Sequence, residues 1–189
     1  STFDVNLSNL NTSNVTNMSY MFYEAGYNAT TWDIGDLGNW NTLNVLNMSY
    51  MFRCAGENAT TFDIGNLNNW NTFKVTNMSS MFDNAGYTAT VWNIGDLSGW
   101  STLNVTNMSY MFKFAARYTE VFDIGDLSEW DTSNKANFFI IVLFSSNNFI
   151  AQFNYIFVFT WKKLCRTYII FVKSSVQIFK RQNSFHIHL

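Results

Sequence analysis

Apolar residues recur along this chain at a fixed period of 30 positions, without a gap: Met18, Met48, Met78 and Met108; Phe22, Phe52, Phe82 and Phe112; Ile34, Ile64, Ile94 and Ile124; Trp40, Trp70, Trp100 and Trp130. Polar positions keep the same step, as at Thr12, Thr42, Thr72 and Thr102. Four full copies result, Asn11 to Trp40, Asn41 to Trp70, Asn71 to Trp100 and Ser101 to Trp130. Before them, Phe3, Asp4, Val5 and Leu7 match the end of a copy, with one residue missing near Asn6. After them, Asp131 to Asn134 begin a fifth copy, and Lys135 stands where Val is due.

Within a copy, Met18, Met21, Phe22 and Ala25 fall at i, i+3, i+4 and i+7, a spacing that predicts one face of a short helix. Thr16 or Asn17 is placed to cap its start, and Gly26, Gly56 and Gly86 stand where a left-handed residue would end it. The fourth copy has Ala116 there, so its helix end is expected to be strained or reshaped. Trp32, Ile34 and Leu37 read as extended chain, with a turn around Gly35 to Gly38. One such unit cannot bury its apolar stripe alone, whereas stacked units make a continuous core with identical residues in ladders. The expected fold is therefore an α/β repeat, a leucine-rich-repeat-like solenoid of four 30-residue units, each a short helix plus short strands stacking in parallel. Strands advance about 4.8 Å per copy and a helix needs about 10 Å, so the helical side is expected to splay.

The phrase Asn14 to Phe22 (NVTNMSYMF), repeated as Asn104 to Phe112 and preceded by Trp, then Asn or Ser, then Thr, resembles the BspA-type leucine-rich-repeat surface proteins. The resemblance covers about residues 1–137, with a unit longer than usual by an insertion around Gly26 to Thr31. It implies an extracellular array on a bacterial cell surface, in adhesion to host extracellular-matrix proteins or to other cell-surface proteins. A repeat array with no whole unit beyond its end copies also leaves apolar end faces, so end-to-end self-association is expected of this chain.

Charge divides the sequence in two. All 13 acidic residues lie at or before Asp131, opposed only by Arg53, Lys74, Lys113 and Arg117, a net charge of −9; the remainder carries +7. The acidic array excludes nucleic acid as a partner, since phosphates would be repelled. The 58 residues after Asp131 hold 10 of the 19 Phe and no Gly, Met, Asp or Glu. Residues 138–189 thus read as an unrelated apolar and basic tail, expected to be poorly ordered and to arise from a frameshift or read-through near Lys135. As a functional alternative, Phe138 to Trp161 has the length of a membrane anchor, although Ser145 to Asn148 interrupt it. Membrane contact is expected through this tail alone.

Catalysis needs a group that titrates near neutral pH or a nucleophile beside a base, and the copies contain no His. The array is therefore read as non-catalytic, without cofactor. His186 and His188 stand near the end of the chain and read as a terminus, not a metal pair. Asp33 with Asp36, and Asp123 with Asp126, could form a calcium ladder, but Asn66 and Asn93 replace members in the middle copies, which favours turn duty. Cys54 and Cys165 share no repeat position and are expected to be unpaired.

Candidate binding residues are those that change between copies. Three columns stand out. Leu43, Phe73 and Leu103, flanked by Ser13 and Ser133, read first as core and second as an exposed strip. Tyr27, Glu57, Tyr87 and Arg117 lie past the helix, where aromatic and Arg side chains suit an interface. Tyr20, Tyr50, Ser80 and Tyr110 lie on it.

Overall fold

The computed structural model describes residues 1–119 and 121–131, and the backbone of three strands further on. It is mostly sheet-like, with short parallel strand pairs and almost no helix. In chain order the elements are β1 (Thr2–Asp4), β2 (Thr31–Asp33), β3 (Thr61–Asp63), a single 3₁₀ turn (Leu67–Asn69), β4 (Val91–Asn93), β5 (Phe139–Ile141), β6 (Ile156–Phe159) and β7 (Tyr168–Phe171). β1 pairs with β2 and β3 with β4, both parallel, with Phe3 opposite Trp32 and Phe62 opposite Trp92. The strand register equals the sequence period where the copies are complete. β2, β3 and β4 each bury their central residue, because period-2 alternation sends Trp32, Phe62 and Trp92 inward, and Phe3 of β1 is half-buried.

The expected helix from Met18 to Ala25 is absent, and the reason lies in the backbone. Each copy instead runs through overlapping tight turns: the amides of Met21, Tyr23, Ala25, Tyr27 and Ala29 donate to the carbonyls of Met18, Tyr20, Phe22, Glu24 and Gly26. The intervening amides donate sideways to the next copy, Met18 to Asn47, Tyr20 to Ser49, Phe22 to Met51 and Glu24 to Arg53, at 2.8 to 3.1 Å. The same sideways pattern joins the second copy to the third and the third to the fourth. Isolated parallel bridges, Asn17 to Asn47, Asn47 to Asn77 and Asn77 to Asn107, continue it. An isolated helix of about two turns is marginal in water. It would also need about twice the strand spacing, leaving its neighbours unpaired. Turns that bond sideways satisfy the backbone at the strand spacing, so the expected splay does not occur: ring centroids of Phe22, Phe52, Phe82 and Phe112 step by 5.2, 5.4 and 5.3 Å. The tryptophans from Trp40 to Trp130 step by 6.3, 6.1 and 6.4 Å.

This path requires left-handed residues. Tyr20, Glu24 and Gly26 have φ of 60°, 55° and 60°, and their counterparts in all later copies are also positive. Gly86 shows why glycine recurs: a Cβ there would sit 2.5 Å from Phe62 Cβ and 2.8 Å from Trp92 Cδ1. Ala116 keeps the conformation at φ 51° although buried, so the fourth copy is strained and not reshaped. Asn17 does not cap a helix; its Oδ1 accepts the Ser19 amide at 2.9 Å in an Asx turn.

The core is one cluster of Met, Phe, Trp, Ile, Leu, Val and Ala running through all four copies. Met18, Phe22, Ile34, Leu37 and Trp40 are buried as expected, with their counterparts. Met21 is the exception, 40% exposed where Met51, Met81 and Met111 are closed off. Two polar side chains clamp successive copies. The hydroxyls of Thr12, Thr42, Thr72 and Thr102 donate forward to the carbonyls of Asn41, Asn71, Ser101 and Asp131. The indoles of Trp40, Trp70, Trp100 and Trp130 donate back to Leu7, Leu37, Leu67 and Leu97.

Beyond residue 131, β5, β6 and β7 form an antiparallel sheet in that order. The rest of the 138–189 stretch, with Cys165, His186 and His188 and most of the Phe138 to Trp161 segment, lies outside the described residues. Among the described residues no helix is long and apolar enough to cross a membrane.

Candidate functional site

Most of the side chains that could carry chemistry are occupied in building turns. Asp33 and Asp36 accept the amides of Gly35 and Gly38 at 2.8 and 2.7 Å. Asp63, Asn66, Asn93, Asp96, Asp123 and Asp126 do the same two residues ahead. Asn and Asp are interchangeable here because one Oδ1 atom does the work. For Asp96 this amide donation holds the carboxyl below its ordinary range. Among the described residues no group of three or more His, Cys, Asp or Glu is placed to hold a metal ion.

Cys54, among the described residues, is a free thiol. Burial first, then the neighbouring Glu57, pushes it up to about 12. It is therefore a protonated, weakly nucleophilic group at neutral pH.

What remains free for recognition lies where the copies differ. Leu43, Phe73 and Leu103 are 46%, 54% and 56% exposed. Their burial, the first reading of the sequence, is overturned. The preceding Asn41 and Asn71 accept the amides of Leu43 and Phe73 in Asx turns, which point the third residue of the copy away from the core while Thr42 and Thr72 point in. Leu46, 48% exposed, adds to the strip and was missed because it replaces a threonine in the column Thr16, Thr76, Thr106. Between the apolar residues the frame is held by Asn44 and Asn104, which donate to the carbonyls of Ser13 and Phe73, and by Lys74, which donates to Asn44 Oδ1 at 2.9 Å.

The other two candidate columns join into one band on the run of turns. Tyr20 and Tyr50 stack at 4.8 Å with planes 9° apart, and Tyr23 leans on Tyr20 at 5.7 Å. Arg53 lies over both Tyr23 and Tyr50 at 5.7 Å, and Lys113 lies over Tyr110 at 5.4 Å. Arg117 covers Tyr87 at 5.9 Å and Phe114 at 5.4 Å, and Tyr118 meets Tyr87 edge-on. Such contacts are worth about 0.5–1 kcal/mol each at exposed sites. Tyr27 is raised chiefly by the charge of Glu57 beside it. Ser80, the gap in the tyrosine column, is buried.

One charge in the band is buried. Asp83 lies 3.3 Å from Arg53 Nε, with the N–H not aligned for a hydrogen bond, so the pair is held by charge. Burial raises its carboxyl, while Lys113 and Arg53 pull it back. From the sequence Arg53 and Lys113 are only charges; their places follow from the thirteenth column of the copy, Tyr23, Arg53, Asp83 and Lys113, which a 30-residue alignment contains.

A family model described as "Mycoplasma protein of unknown function, DUF285" matches residues 1–85 and again residues 57–155. No curated protein and no solved structure matches the chain.

Proposed function

Because the chain belongs to the DUF285 family of repeat proteins, we propose that it is a non-catalytic cell-surface scaffold, a leucine-rich-repeat-like solenoid related to the BspA-type proteins that binds a protein partner outside the cell. The observation that carries this reading is the exposed strip of Leu43, Leu46, Phe73 and Leu103 on a frame whose polar groups are bonded within the stack. A soluble protein keeps contiguous exposed apolar surface where it meets something. Residues that specify the fold recur in every copy; these do not, so they are free to be set by a partner. Parallel stacking aligns them at regular steps, and binding through several weak steps adds up. The partner is a host extracellular-matrix protein or another cell-surface protein, with the bacterial surface as the place of action.

The test is adherence of the 189-residue chain to immobilised extracellular-matrix proteins, beside a variant with Leu43→Ser, Phe73→Ser and Leu103→Ser. All three side chains are exposed, so melting temperature should hold while adherence drops at least tenfold. Equal adherence by the folded variant, or no adherence by the parent chain, rejects the reading.

A further inference from the structure

We propose that the tyrosine and cation band is a self-recognition face, on which two copies of this chain meet side by side and antiparallel. The first support is the distribution of charge. Three of the four cations of residues 1–131 stand in this band, as Arg53, Lys113 and Arg117, with three of the 13 acids, Glu24, Glu57 and Asp83. Among the described residues the band is neutral, and the charge of −8 on the others, one cation against nine acids, lies elsewhere. A second copy approaching the side that carries Asp33, Asp36, Asp63, Asp96, Asp123 and Asp126 meets like charge.

The second support is the order of charges along the band. Arg53 and Asp83 satisfy each other, with Asp83 buried. The other charges of the band are Glu24 and Glu57 in the first two copies and, in the fourth, Arg117 and Lys113, the latter also acting on Asp83. The first end is acidic and the last basic, with Glu24 three copies from Lys113 and Arg117 and Glu57 two. A two-fold axis through the middle of the band sets the first copy against the fourth, bringing Glu24 of one molecule against Arg117 and Lys113 of the other, twice, with Glu57 one copy away, whereas a parallel pairing sets like against like. Tyr20 and Tyr27 beside Glu24, and Tyr110 and Tyr118 beside Lys113 and Arg117, are exposed at the two ends of the band, a residue type enriched at interfaces. The cation contacts to Tyr110, Tyr87 and Phe114 hold Lys113 and Arg117 on the band before a partner arrives. This face involves none of Leu43, Leu46, Phe73 or Leu103, so it stands apart from the proposed adhesion strip.

The experiment uses the full 189-residue chain and measures mass by sedimentation equilibrium in low and high salt. The parent should be a dimer at low ionic strength that dissociates as salt is added. Two charge reversals are made, Lys113→Glu with Arg117→Glu, and Glu24→Lys with Glu57→Lys. Each alone should be monomeric, with unchanged circular dichroism. Mixed one to one, they should restore a dimer containing one chain of each. A parent that is monomeric throughout overturns the proposal. So does a dimer that survives either reversal, the result expected if residues 132–189 and not this band hold two chains together. Two folded monomeric variants that fail to pair with each other also overturn it. If a reversal disturbs the fold, the milder pairs Lys113→Gln with Arg117→Gln and Glu24→Gln with Glu57→Gln replace it. Each should weaken the dimer about tenfold or more, and an unchanged dissociation constant for both counts against the face.

Discussion

Exchanging alanine and glycine at equivalent positions of two copies should have unequal effects, and the structure sets the sizes. Gly86 has φ 53°, and an added Cβ would press on Phe62 Cβ at 2.5 Å, Phe62 Cγ at 2.8 Å and Trp92 Cδ1 at 2.8 Å. Left-handed backbone costs an L residue about 1–2 kcal/mol. Forcing a methyl group into a packed core costs about 1–3 kcal/mol more. The stiffer unfolded chain returns about 0.4–1 kcal/mol, so Gly86→Ala should destabilise by roughly 2–4 kcal/mol. At this chain length the melting temperature should fall by on the order of 10 °C. At Ala116 the methyl is already in place at φ 51°, with neighbours fitted around it. Ala116→Gly relieves about 1–2 kcal/mol of backbone strain, loses about 0.8 kcal/mol of methyl burial and pays about 0.4–1 kcal/mol of unfolded-state entropy. The sum lies within about 1 kcal/mol of zero. Thermal melts of both variants by circular dichroism decide the matter. A Gly86→Ala protein that melts with the parent would refute the left-handed turn and the close packing of Phe62 and Trp92 behind it.

Three further outcomes follow from the same geometry. Trp70→Phe removes the 2.8 Å indole bond to the Leu37 carbonyl, which keeps the Trp40 amide at 3.0 Å, and should cost about 1 kcal/mol for the bond and about 1–2 kcal/mol for the lost packing in a denaturant titration; a loss below about 0.5 kcal/mol would show that the indole clamp is idle. Asp83 is raised in the folded state, mainly by burial, so its favourable contribution is present at acid pH and is lost as pH rises through the raised value. The stability of the parent relative to Asp83→Asn should therefore fall as the pH is raised from below the ordinary carboxylate range through the raised value, and a difference that stays level or grows contradicts the assignment. Cys54, pushed up to about 12, should resist iodoacetamide at pH 8 in a Cys165→Ser background and react at once in denaturant; labelling of the folded chain at the rate of a free thiol would contradict its partial burial beside Glu57.

The repeat, its register and nearly all of its core were legible in the sequence, because stacking repeats the same environment every 30 residues and so forces the same residue there. Trp40, Ile34 and Phe22 could be assigned inward on that ground alone. The path of the chain between them was not legible. Inward residues at i, i+3, i+4 and i+7 arise equally from a helix and from overlapping turns with left-handed residues four apart, as at Tyr20 and Glu24. Two signals favoured turns. A helix is too wide for the strand spacing, and Asn17 followed by Ser19 is an Asx-turn pair. The strip at Leu43, Phe73 and Leu103 was ambiguous because an apolar side chain at a variable position suits a core or an interface. The flanking threonines resolve it, since Thr42 and Thr72 must reach the carbonyls of Asn71 and Ser101 and occupy the inward direction. Arg53, Asp83 and Lys113 look like scattered charges until the copies are stacked, when they become neighbours.

The claim on which all else rests is that the copies stack at the spacing of β-strands on every side, the run of turns included. Spin labels at Tyr20→Cys and Tyr110→Cys, in a Cys54→Ser, Cys165→Ser background, sit three copies apart on that run, and dipolar electron paramagnetic resonance gives their separation. Ring steps of 5.2, 5.4 and 5.3 Å in the adjacent phenylalanine column predict about 15–20 Å, apart from the label arms. A separation near 30 Å, the span of three helix widths, would contradict it and restore the splayed helical array.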